Sequence, residues 1–93
     1  MGITPLLIFM PSSTKLPKWF EGELYKKGDI IQNPYTGEKA SLTAVELSMY
    51  DFIKGAQIML EMGHYENKVI KDFRKGLKWF EKSNPKAYKI LVE

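Results

Sequence analysis

The chain predicts a small α+β domain: an N-terminal β-hairpin packed on two long antiparallel helices, followed by a short C-terminal helix. Three observations predict it. Asn33-Pro34-Tyr35-Thr36-Gly37 is a strong turn signal between short β-prone stretches, and Thr43-Ala44-Val45-Glu46 is a helix start. Beyond that start, apolar residues recur at helical spacing, broken only around Gly63 and at Ser83-Asn84-Pro85. Ninety-three residues, 44% hydrophobic and 13% aromatic, make one domain. A chain this short buries only about two-thirds of its unfolded surface. Its twelve aromatics and five methionines offset that limit, because each buried ring removes roughly 150–250 Å² from water.

Residues 1–21 read as an N-terminal extension or edge strand, and residues 22–93 as the domain. The apolar run Ile3–Met10 is eight residues long and contains Pro5, far short of the roughly 20 apolar residues that span a bilayer. No Lys or Arg precedes it and no small-residue cleavage pattern follows, so it is not expected to be a signal peptide. Two readings stand for it: an edge strand, or an upstream extension of a chain that starts at Met10.

Residues 22–42 form the predicted hairpin region. Leu24-Tyr25 is a short first strand, Lys26-Lys27-Gly28 a turn, and Asp29–Gln32 a second strand. At the next turn Pro34 presets φ, Asn33 can bond its own backbone, and Gly37 can take positive φ. Glu38–Leu42 is the returning strand. The tetrapeptide Thr36-Gly37-Glu38-Lys39 copies the linker between zinc fingers, but a chain without cysteine has no such fingers and the turn accounts for it.

A capping box starts the first helix, spanning residues 44–62. The Thr43 hydroxyl accepts from the Glu46 amide, the Glu46 carboxylate accepts from the Thr43 amide, and Leu42 and Leu47 occupy the hydrophobic-staple positions. Gly63 suits the left-handed C-cap. Val45, Met49, Phe52, Ile53, Ala56, Met59 and Leu60 make a broad apolar face, while Leu47 and Ile58 lie on another side. A helix apolar on two sides is central to its fold or buried at a contact, which makes Leu47 and Ile58 candidate protein-contact residues. Ser48 and Gly55, seven residues apart, leave room for another backbone. The second helix spans residues 66–82, and a third spans residues 85–92 with Asn84 as N-cap and Pro85 at the first position. Only Gly63–Tyr65 separate the two long helices, so they pack antiparallel, with Gly55 and Gly76 as points of close approach.

Charge is uneven along the chain. The net charge is +3, and residues 64–93 hold eight Lys and Arg against four acids, a local net of +4. Lys68, Lys71, Lys75, Lys78 and Lys82 alternate by three and four residues and form one stripe of the second helix, with Arg74 and Trp79 at its margins. Ile70, Phe73, Leu77 and Phe80 lie opposite. Any amphipathic surface helix has such a solvated face. Yet Lys71/Lys75 and Lys78/Lys82 are like-charge pairs at i,i+4, each costing a few tenths of a kcal/mol. Read functionally, Lys68, Lys71, Arg74, Lys75, Lys78, Trp79 and Lys82 form a candidate polyanion site. There Trp79 either stacks a base or, as Trp more commonly does, packs against the domain.

Catalytic and cofactor chemistry is not expected. The chain has no cysteine and one histidine, His64, which together cannot make an ordinary zinc site. It contains no Gly-rich phosphate loop, EF-hand loop or nucleophile elbow. No cofactor, no metal and no membrane partner are expected.

One wider resemblance runs through residues 28–92. Asn33-Pro34-x-Thr36-Gly37, Glu46, Tyr50-Asp51-x-Ile53-x-Gly55, Gly76-Leu77-x-Trp79-Phe80 and Asn84-x-x-Ala87-Tyr88-x-x-Leu91 resemble small uncharacterised proteins of marine phages, cyanophages among them. The resemblance implies a viral origin and action in the cytoplasm of an infected bacterium. It carries no activity and no functional residue. The expectation is a non-enzymatic phage accessory protein that binds a protein partner or itself as a homodimer. The alternative is nucleic-acid binding through the basic face of the second helix.

Overall fold

The hairpin turn forms as its residues dictate. The Asn33 side-chain oxygen accepts from the amides of Tyr35 (2.7 Å) and Thr36 (3.3 Å), and the Gly37 amide returns to the Asn33 carbonyl at 2.8 Å. Gly37 takes φ +81, a conformation that costs a glycine nothing. This turn joins β1 (Asp29–Gln32) to β2 (Lys39–Leu42) in an antiparallel pair that sets Asp29 against Leu42 and Ile31 against Ala40. Alternation then points Ala40 and Leu42 into the core and Lys39 and Ser41 outward. The computed structural model describes residues 15–92, and the apolar run Ile3–Met10, with its edge-strand reading, lies outside them.

Three helices complete the architecture: α1 (Ala44–Glu61), α2 (Asn67–Ser83) and α3 (Pro85–Leu91). The fold is therefore the α+β hairpin-plus-helices arrangement that the chain predicts. Both arms of the capping box are present, with Glu46 N–H donating to Thr43 Oγ1 at 3.2 Å and Thr43 N–H to Glu46 Oε1 at 3.0 Å. At its other end α1 closes in a Schellman motif. Gly63, at φ +93, donates to the Leu60 carbonyl, and the His64 amide donates to that of Met59 at 2.9 Å. Asn84 caps α3 by accepting from the Ala87 amide at 3.0 Å.

The core is Leu42, Leu47, Met49, Ile53, Phe80, Ala87 and Leu91, between the inner face of β2 and the three helices. Gly76 sits where α2 meets α1, and a Cβ there would lie 3.0 Å from Ile53 Cγ1. Phe80 is fully buried and stacks obliquely on Tyr50, with ring centres 5.9 Å apart. The hairpin is fastened to α3 by Asn33 Nδ2, which donates to the Ile90 carbonyl at 2.8 Å.

Several expectations need correction. Leu24-Tyr25 is not a strand: Leu24 is exposed and the Tyr25 amide donates to Ser48 Oγ at 2.9 Å. A second chain segment does approach α1 at Ser48, and it is this one. Residues 15–21 form no strand either, but Leu16, Trp19 and Phe20 pack against the core, with Trp19 and Phe20 rings 6.0 and 5.2 Å from Phe52. Gly55 is not a helix–helix contact, because a Cβ there meets nothing within 4 Å. Leu47 is no surplus surface: it is 9% exposed and shares the core cluster with Leu42, its staple partner.

The glycines give opposite stability predictions. A Cβ at Gly28 would run into the Leu42 carbonyl, with Thr43 Cα at 3.0 Å, and backbone cannot step aside cheaply. Gly28→Ala should cost about 1–3 kcal/mol. Gly55→Ala, in open space on a helix, should stabilise by about 0.5–1 kcal/mol. Urea denaturation of the two variants beside the parent checks both signs.

Candidate binding surfaces

Burying one face of α2 is what turns its lysines outward. Phe80 and Gly76 reach the core, and Lys68, Lys71, Arg74, Lys78 and Lys82 are exposed. The stripe is less uniform than the spacing implies. Lys68 Nζ lies 2.8 Å from Asp72 Oδ2 and 3.3 Å from Glu21 Oε1. The hydrogen bonds it donates to Asp72 and then to Glu21 raise its pKa above the ordinary lysine value. Lys75 is half-buried, its Nζ 4.9 Å from the centre of the Trp19 ring. Lys71, Arg74, Lys78 and Lys82 make no ion pair among the described residues.

Four of these cations come together. Lys71, Arg74, Lys75 and Lys78 line a groove of about 430 Å³ with Asn67 and Ile70, and among the described residues no carboxylate is in the lining. Lys71 and Lys78 are two turns apart, about 10 Å along the axis at 1.5 Å per residue. Trp79 is not part of this groove. It is half-buried against the core, and its carbonyl accepts from Ser83 Oγ at 2.7 Å. The aromatic ring that meets the stripe is Trp19, which sequence spacing did not bring near it. Lys82 and Lys68 fall outside the groove as well.

A second surface lies where α1 turns into α2. Ile58 is 54%, Met59 42% and Met62 70% exposed, and Tyr65 follows, also exposed. Ile58 and Met62 are one turn apart, with Met59 beside them. Met59 also borders an apolar cleft of about 290 Å³, whose walls include Phe52, Ala56 and Val69. The cleft exists because Gly55 has no side chain to fill it and Gly22 crosses nearby, where a Cβ would press on Phe20 and Phe52. Asp51 and Asp72 stand at its edge, and Glu61 and Glu66 are exposed around the helix turn. His64, in that turn, has Nδ1 3.9 Å from Glu66 Oε2.

Among the described residues no three His, Asp or Glu side chains gather as a metal site would require, and no helix is long and apolar enough to cross a membrane. Of the two candidate contact residues, Ile58 is on the surface and Leu47 is not. Met59, Met62 and the Gly55 cleft are additions. Met59 lies on the apolar face expected to point inward, but in the last turn of α1, and it is 42% exposed. Comparison with protein-family models, with curated proteins and with solved structures finds no match to this chain.

Proposed function

We propose that this chain is a non-enzymatic accessory protein of a bacteriophage, working in the host cytoplasm by binding a protein partner. The contact is the apolar flank at the α1–α2 turn. The observation that carries the reading is the exposure of Ile58, Met59 and Met62 together beside the Gly55 cleft. Small domains seldom leave adjacent large apolar side chains to water without using them. Methionine suits such a surface because its unbranched, polarisable side chain adapts to the shape it meets. Asp51, Glu61 and Glu66 around the flank favour an apolar anchor carried between basic residues. A second copy of this chain is the other occupant of the same surface.

A photo-crosslinking residue at position 62, introduced into the chain in infected cells, tests this reading. A discrete adduct is expected from position 62 and none from position 86 on α3, with the adduct lost when Ile58→Lys is added. An adduct of twice the chain mass identifies the homodimer. The reading fails if position 62 gives no adduct, or if positions 62 and 86 give the same ones.

The groove on α2 supports a second reading, nucleic-acid binding, because four cations line it with no carboxylate among the described residues. Among the described residues no aromatic side chain lines it, so the reading is confined to phosphate contacts, with no base stacked on Trp79. Duplex DNA and RNA should then bind with little sequence preference. The logarithm of the binding constant should fall with that of salt by about 0.9 for each phosphate neutralised on DNA. Fluorescence anisotropy of labelled duplexes measures this. Lys71→Gln with Lys78→Gln should lower the slope by about two, and an unchanged slope would exclude the groove.

A further inference from the structure

On the flank of α1 opposite Gly55, the hairpin turn and the three helices enclose a larger cleft, of about 590 Å³. Its floor is apolar: Ile53, Phe73, Leu77 and Leu91. Phe73 and Leu77 belong to the core-facing side of α2, yet both stay half-buried because this cleft lies over them. Tyr50 and Tyr88, both half-buried, form the walls, and Tyr35, 94% exposed, stands at the rim. Burial raises the Tyr50 phenol above its ordinary pKa, so it stays a neutral donor at physiological pH. Among the described residues Lys54 is the one charged residue in the lining, with Nζ 5.5 Å from the centre of the Tyr50 ring and no ion-pair partner. The amide of Asn33 is already committed to Ile90.

These features select a ligand by exclusion. Tyrosine walls alone would also suit a cation, but the Lys54 ammonium among them opposes one. A phosphate group needs several N–H donors or cations, and the described lining residues include one cation. The volume is in the range of small-molecule sites, which pair apolar walls with a few polar groups. We propose that this cleft binds a planar aromatic monocarboxylate, its ring over Phe73 and Leu77 between the tyrosines and its carboxylate on Lys54 Nζ. The site is independent of the flank at Met62 and of the groove on α2, so it stands or falls separately from both.

The test uses naphthalene-2-carboxylate and its neutral counterpart, 2-naphthamide, titrated into the labelled full chain and followed by amide NMR shifts. The acid is expected to give saturable shifts around Tyr50, Lys54, Leu77 and Tyr88, and the amide to bind about tenfold or more weakly. Lys54→Gln should erase that preference while leaving amide binding as it was. Leu77→Trp, which fills the floor, should abolish both. Equal binding of acid and amide, shifts centred elsewhere, or no saturation below about 10 mM would overturn the proposal.

Discussion

The carboxylate of Glu46 holds two chain reversals together. It is 4% exposed, and its Oε1 accepts from the Thr43 amide at 3.0 Å and from Asn84 Nδ2 at 3.0 Å. Asn84 in turn accepts the Ala87 amide. One buried oxygen thus joins the start of α1, just after the hairpin, to the start of α3, just after α2. Taking a carboxylate out of water is costly, and only such hydrogen bonds offset the cost. With both reversals fixed, α3 is placed against β2, and Asn33 can reach the Ile90 carbonyl to hold the hairpin turn. Phe80, which leads into the Asn84 reversal, is fully buried beneath this network.

The same arrangement explains where surface is left over. Polar ties and the sheet gather at one end of the helix pair. At the other end the chain makes only the tight Gly63 turn, which satisfies backbone groups through the Schellman bonds but supplies no cover for the side chains above it. Ile58, Met59 and Met62 are therefore exposed by architecture, and Gly55 deepens the defect. On the opposite flank α3 is too short to close over Phe73 and Leu77, and the tyrosine cleft remains.

What was legible in the sequence follows the range of each interaction. The Thr43–Glu46 box, the Asn33 turn, the Gly63 terminus and the Asn84 cap are settled within five residues, and each forms as the residue types dictate. The link from Glu46 to Asn84 spans 38 residues, and a carboxylate already explained by its capping box carries no sign of a second partner. The fate of Leu47 shows two readings in competition. Its wheel position marked it as surplus, its staple position as buried, and the staple prevailed because Leu42 was already turned inward by the β2 alternation. Trp19 falls within residues 1–21, which read as an extension or edge strand, yet it packs against the core together with its neighbours Leu16 and Phe20. The lysine stripe faces outward as its spacing predicts, but Lys68 pairs with Asp72, one turn on, and also with Glu21, a partner remote in sequence.

The most direct measurement is a double-mutant cycle on Glu46→Ala and Asn84→Ala, read by urea denaturation. Each single change should cost about 1–3 kcal/mol, since each removes a cap and strands a buried polar partner. If Glu46 joins the two reversals, the double variant should lose at least about 1 kcal/mol less than the sum of the singles. Additive losses would mean that each residue caps only its own helix, and that the two reversals are held together by something else.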